Sequence, residues 1–293
     1  MTIILFLFGL GFGSFLNVVS KRYQPDKRLF DLKVLGGRSQ CPKCGARLSW
    51  YELIPIVSFL IQLGRCRTCR LPISLEYPIV ELASGLVFAF VPAAVFEAFD
   101  VNFARLGGDL PIWYFLLAGI FILVSLTLIL ISAIDLRLRI IPDQSNILIA
   151  VLGLAAILIF GYYDLFGDLK GSFLGHYALL FGLRENVWIN HLAGALFGLA
   201  FFGLIIILSR GRGMGIGDLK LAAALGLFFG WPDIALALAL AFIAGAIGSI
   251  ILLVRRKKGL KSAVPFGPFI ALGALLILFF GQTLMDGYFT LFP

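Results

Sequence analysis

Six side chains in this sequence have types and spacings that could do chemistry. Four are cysteines, set in two Cys-x-x-Cys pairs: Cys41-Pro42-Lys43-Cys44 and Cys66-Arg67-Thr68-Cys69. Two such knuckles offer four thiolates in a tetrahedron, which Zn²⁺ prefers where its role is structural. The 21 residues between the pairs slightly exceed the usual ribbon spacing. Gly45 permits the tight turn that a knuckle needs, and Arg65, Arg67 and Arg70 would offset the charge of a metal–thiolate centre. Four thiolates fill the coordination shell, so the metal would be structural and not catalytic. Two readings compete. One is a pair of disulfides, which a reducing compartment disfavours; the other is a dithiol redox pair, which would need only one Cys-x-x-Cys.

The other two are aspartates in apolar surroundings. Asp135 closes the run Ser132-Ala133-Ile134-Asp135 and precedes Leu136-Arg137-Leu138-Arg139-Ile140-Ile141-Pro142-Asp143. Its plain reading is an interfacial charge paired with Arg137 or Arg139, and that of Asp143 is an N-cap. Asp218 ends Gly211-Arg212-Gly213-Met214-Gly215-Ile216-Gly217 and opens an apolar helix. Four glycines in seven residues favour an unwound backbone, tolerated at membrane depth only inside protein or along a wet cavity. Phosphate binding is poorly supported there, since the P-loop spacing is missing and a carboxylate sits where the anion would be. Brought together, Asp135 and Asp218 would be poorly solvated and repulsive, and would share one proton. The ionised carboxylate of such a pair activates water, and the protonated one assists the carbonyl or leaving amine.

The elements that must position these residues follow from composition. Apolar residues make up 60% of the 293, charged residues only 14%, and mean hydropathy is +1.01. That cannot wet a soluble globule of this size. The chain reads as an all-α polytopic membrane protein. Apolar runs long enough for a hydrocarbon core fall at 2–19, 77–96, 112–134, 145–163, 189–208, 234–254 and 267–289. A shorter run, 219–230, covers about 18 Å; it starts earlier, inside the glycine run, or thins the membrane locally. The first run lacks a basic flank and a cleavage site, so it reads as a retained span with its N-terminus outside.

With that orientation, 21 of the 24 Lys and Arg fall in inner loops. Only Arg105, Lys170 and Arg184 lie outside. The positive-inside rule thus explains the net charge of +8 without nucleic acid. It also requires 219–230 and 234–254 both to cross, or to form a re-entrant hairpin, because otherwise Arg255-Arg256-Lys257-Lys258 would be stranded outside. Eight helices are expected, with residues 20–76 as a basic, cysteine-bearing cytoplasmic insertion. Within it, the apolar segment Trp50 to Leu60 is too short to span, is interrupted by Pro55, and is expected to lie on the membrane face. Glu81, an acid inside a span, either faces a cofactor pocket or pairs with Asn17. His191 reads as structural, and Gly9, Gly11 and Gly13 as helix packing. The outer segment 164–188 reads as a structured loop or surface helix.

In this order the motifs resemble those of the type IV prepilin peptidases, GxGD-type membrane aspartic proteases that also N-methylate their product. The resemblance runs through Gly13-Ser14-Phe15-Leu16-Asn17-Val18-Val19, the cysteine tetrad, Trp50-Tyr51-Glu52-Leu53-Ile54-Pro55 and Ile73-Ser74-Leu75-Glu76-Tyr77-Pro78. It continues in Ala133-Ile134-Asp135, Ile141-Pro142-Asp143, Gly215-Ile216-Gly217-Asp218-Leu219-Lys220-Leu221 and Pro265-Phe266-Gly267-Pro268.

The resemblance implies a catalytic pair at Asp135 and Asp218, zinc at Cys41, Cys44, Cys66 and Cys69, and S-adenosylmethionine as methyl donor. It implies a methylation-associated region over 1–100 and a peptidase bundle over 101–293. The substrate would be a prepilin or pseudopilin with a short basic leader, cut after glycine at the cytoplasmic face of the bacterial inner membrane. The new N-terminus is then methylated. Anionic membrane lipids would engage the basic surface. The competing functions are a presenilin-type intramembrane protease and a non-enzymatic assembly factor or transporter. No strand-borne dinucleotide fingerprint appears, so methyl transfer rests on the resemblance alone.

Overall fold

The structure, a computed structural model, describes residues 1–29, 31, 36–99, 111–166, 171–254 and 264–291. Its long helices are α1 (Thr2–Arg22), α3 (Glu76–Ala98), α4 (Ile112–Leu138), α5 (Asp143–Tyr162), α6 (Val187–Leu208), α8 (Asp233–Val254) and α9 (Gly267–Leu291). All seven are long and apolar enough to cross a membrane. The shorter α7 spans Ile216–Phe229, and α2 is a single turn at Val57–Ile61. Among the described residues the only extended pairings are two isolated bridges, Gln40 with Arg47 and Arg65 with Pro72. The all-α polytopic reading holds. Arg105, Lys170 and Arg255 to Lys258 lie outside the described residues.

The short sixth span begins three residues earlier than hydropathy suggested, at Ile216, and its 14 residues reach about 21 Å. It needs no full lipid thickness because other helices surround it: Leu221, Leu225 and Phe228 are buried against α5 and α6. Helix α7 runs antiparallel to α6 along a seam of small residues. A Cβ on Gly194 would lie 2.5 Å from the Gly226 carbonyl oxygen, and one on Gly198 equally close to that of Ala222. Such close backbone approach is how helices associate where lipid is as apolar as leucine. At its far end Gly230 packs on Asn190 and His191, in the first turn of α6, so α7 traverses most of the bundle.

At the other side of the molecule α1 packs on α3. Gly9 and Gly13 admit the α3 backbone, a Cβ at either meeting an α3 atom at 2.6 Å, whereas Gly11 faces open space. Helix α4 is the central, most buried span. It also continues a full turn beyond the point where hydropathy ends it. Arg137 holds that turn by donating to the carbonyls of Lys21 and Tyr23, at 2.6 and 2.7 Å. Arg139, in the left-handed region at φ 57°, closes the helix with its N–H on the Asp135 carbonyl. Asp135 therefore sits inside a helix, one turn from its end. Segment 171–181 is ordered as a turn of 3₁₀-helix over Gly175–Phe181, with Ser172 donating to the buried Asp233.

Candidate functional site

Asp135 projects from the last turn of α4 and is only 4% exposed. Its Oδ2 accepts the backbone N–H of Gly267, the first residue of α9, at 2.9 Å. The approach requires glycine, because a Cβ there would sit 2.8 Å from the same oxygen. Neither Arg137 nor Arg139 pairs with this carboxylate; Arg137 is committed to the α1 carbonyls.

Asp218 lies in the first turn of α7, half-buried. Its Oδ2 accepts the N–H of Gly215 at 3.1 Å and occupies the space a Gly215 side chain would need. The chain is unwound up to Gly215, and Gly211 takes φ 75°. Gly217 is already helical and packs against Ile141, in the α4–α5 connection. That contact brings the start of α7 to the end of α4, and the carboxyl of Asp218 has Asp135 as its electrostatic neighbour.

Asp143 is not an N-cap. Pro142 holds that position, and exposed Asp143 instead pairs with Lys220 at 2.8 Å. This second strap ties the α4–α5 connection to α7 beside the two aspartates. The sequence singled out Asp135 and Asp218 as a pair, whereas Ile141 and Gly267 stood only within motifs of the family resemblance, with no role of their own. Nothing local to the Pro265-Phe266-Gly267-Pro268 motif marks Gly267 as a partner of Asp135.

The four cysteines form a second cluster. Their sulfurs all lie within 4.8 Å of one another, and Cys41 and Cys69 are 4.0 Å apart. A disulfide needs about 2.05 Å, whereas the edge of a tetrahedral zinc–thiolate site is about 3.8 Å from bonds of 2.3 Å. All four are free thiols. The two knuckles share one backbone design. Gly45 N–H donates to the Cys41 carbonyl and Arg70 N–H to that of Cys66, each at 2.9 Å. Both hinge residues are left-handed, Gly45 at φ 72° and Arg70 at φ 57°. Backbone N–H groups of Cys69 and then Thr68 favour the Cys66 thiolate, lowering that thiol to about 7. The donor set fits a soft divalent metal. Of the three arginines expected to offset its charge, Arg67 is engaged by Glu52 and Tyr51.

Glu81 and Asn17 do not hydrogen-bond each other. Glu81 Oε2 accepts the N–H of Ile56 at 2.8 Å, while Asn17 donates its amide to the Tyr77 carbonyl at 3.0 Å. Both line one cavity between α1, α3 and the insertion. His191 is buried between Phe160 and Phe166, with Nδ1 on the Leu227 carbonyl at 2.9 Å, a packing position remote from both clusters. Trp50, Val57, Leu60 and Ile61 present exposed apolar side chains, an outward face suited to a membrane surface.

Two family profiles match the sequence. The bacterial peptidase A24 N-terminal domain covers residues 7–95 and the type IV leader peptidase family covers 121–250. A prepilin leader peptidase/N-methyltransferase of Aeromonas hydrophila is 30% identical over 99% of this chain and 94% of its own. One from Burkholderia pseudomallei is 33% identical over 83% of this chain and 67% of its own. One from Pseudomonas aeruginosa is 29% identical over 96% and 91%. No solved structure matches.

Proposed function

This chain belongs to the type IV leader peptidase family, and from that premise we propose that it cleaves prepilin-like precursors with Asp135 and Asp218 and then N-methylates the product. One observation supports the peptidase half. Two carboxyls from helices far apart in sequence lie within electrostatic reach of each other, and each accepts a glycine N–H. One ionised aspartate takes a proton from water, whose oxygen adds to the scissile carbonyl. The protonated partner then gives its proton to the leaving amine. Unwound backbone before α7 leaves room for an extended peptide next to the pair, and glycine at the cut site eases substrate unwinding.

The pair acts at the cytoplasmic face, as the basic inner loops support. The substrate is a pilin or pseudopilin precursor whose basic leader stays in the cytosol, and anionic lipids engage the surrounding lysines and arginines. Cys41, Cys44, Cys66 and Cys69 hold a structural zinc that ties together the two ends of the insertion. S-adenosylmethionine supplies the methyl group.

The test is a mass measurement. Purified protein is incubated with a precursor carrying a basic leader, glycine and phenylalanine, together with the methyl donor. Wild type should release the leader and add one methyl. Asp135→Asn and Asp218→Asn should each lower cleavage by at least about a thousandfold while the protein still inserts, as expected for groups that act as a unit. Full processing by either variant removes that residue from the pair. Cutting within an ordinary transmembrane helix would favour the presenilin-type alternative. Elemental analysis well below one zinc per chain, with intact thiols, would overturn the metal assignment.

A further inference from the structure

Among the described residues a sizeable cavity lies away from the aspartates. It is about 600 Å³, roofed by the insertion and walled by α1 and α3, within the range of roughly 300–1,000 Å³ that suits a drug-sized ligand. Its lining is mixed. Apolar walls come from Val18, Leu53 and Phe59, and Cys41 and Cys66 border it, so the knuckles hold its roof in place.

Three features set this cavity apart from a packing fault. First, Asn17 is 2% exposed, and with its amide nitrogen committed to the Tyr77 carbonyl its Oδ1 has no partner. A buried acceptor left unpaired is destabilising, so this oxygen calls for an N–H donor from a ligand. Second, Glu81 places a carboxyl on the same wall, steadied by Ser14 and the Ile56 N–H. Third, the backbone at Ile56 is strained. Val57 N–H bonds the Pro55 carbonyl across it, forming a γ-turn with Ile56 at φ 59° and ψ −50°. That geometry is rare, and rarer still for a β-branched residue. The Ile56 N–H that Glu81 holds is thus the centre of a strained roof, as found at ligand clamps.

We infer that this cavity binds the methyl donor, with Asn17 Oδ1 accepting an N–H and the Glu81 carboxylate facing the sulfonium or ammonium charge. An S-adenosyl amino acid carries what these walls ask for: a cationic centre, N–H donors on the purine and the α-amine, and an apolar ring system. Lys21 and Arg22 also line the cavity's mouth and give the donor's α-carboxylate a cationic edge, Lys21 being paired with Glu76 and Arg22 held on the Gly36 and Arg38 carbonyls.

The mouth also explains delivery. The end of α1 that bears Lys21 and Arg22 is clamped by Arg137, two residues beyond Asp135 in α4. A new N-terminus formed at the aspartates therefore needs only to cross that ridge. Its deprotonated amine attacks the methyl carbon, forming the C–N bond as the C–S bond breaks. Sulfur keeps the electron pair as a neutral thioether, and the resulting ammonium sheds a proton to water.

This inference rests on the methyl-transfer half of the proposed function and is independent of the aspartate pair. It is tested with full-length protein in detergent, using S-adenosylhomocysteine as the probe in equilibrium dialysis. Wild type should bind saturably. Glu81→Gln and Asn17→Leu should each weaken binding by about tenfold or more, and Ser58→Phe should abolish it by filling the cavity. All three should still cleave precursor within roughly threefold of wild type. Asp135→Asn should bind the probe normally while failing to cleave, which separates this site from the peptidase reading. Unchanged binding in the three cavity variants overturns the assignment. So does a loss of cleavage in step with binding in all three, because the cavity would then serve the fold or the peptide and not the donor.

Discussion

Asp135 and Gly267 form a matched pair: the carboxylate fills the volume that any side chain at 267 would require. Gly267→Ala puts a methyl 2.8 Å from Oδ2, closer than real contacts allow, so either the carboxylate or the head of α9 must shift. Misplacing a reacting group by about 1 Å can cost on the order of a hundredfold in rate. Precursor cleavage by Gly267→Ala is expected to fall 10- to 100-fold on that scale; a wild-type kcat/KM would mean that this hydrogen bond does not aim the aspartate. The acids themselves were legible in the sequence, because a carboxylate flanked by apolar residues at a span boundary is costly and hence conspicuous. Gly267 was not. Its importance comes from Asp135, 132 residues earlier in the chain, and no local pattern encodes such a pairing. Asp143 shows the same limit in reverse: its position beside a helix start suggested a cap, and only the fold supplies Lys220 as its partner.

Helices were legible to the extent that lipid fixes their length. Seven runs of apolar residues became seven long helices, while α7 escaped the length rule because protein and not lipid surrounds it. Its seam with α6 gives a direct test. Gly226→Leu drives a side chain into the backbone of Gly194, and overpacking of this kind costs about 1–3 kcal/mol or more. Thermal unfolding in detergent should shift down by several degrees on that estimate, and an unshifted melt would show that the two helices can separate freely. The knuckles were legible from spacing, but the electrostatics of Cys66 were not. Backbone N–H groups, Cys69 foremost, lower its thiol to about 7. Metal and proton compete for the thiolates, and a bound metal keeps its ligands deprotonated well below their metal-free values. Replacing any one of the four cysteines with serine should therefore bring the zinc content well below one per chain, as read by elemental analysis. A full complement of metal in all four variants would exclude the tetrad as its site.

At the scale of the whole molecule two compartments share one edge. The cavity between α1 and α3 and the aspartates of α4 and α7 meet along the end of α1, and Arg137 is the side chain that joins them. Its guanidinium donates to two carbonyls that the C-terminal end of α1 leaves unpaired, bonds worth about 1.5–3 kcal/mol each when the donor is charged and less here, where solvent screens one of them. The sequence offered Arg137 as a counter-ion for Asp135, and the structure spends it on α1 instead. Cleavage should therefore tolerate its loss better than methylation does. In Arg137→Ala the aspartates keep their glycine N–H donors, so leader release should stay within roughly threefold of wild type. The ridge that the new amine must cross is no longer held to α4, so the methylated fraction of cleaved product should fall by about tenfold, in proportion to the bond energy removed. One mass spectrum of the reaction gives both quantities, unmethylated and methylated product against intact precursor. A parallel decline in the two activities would mean that Arg137 supports the aspartates directly. An unchanged methylated fraction would mean that the product reaches the donor by another route.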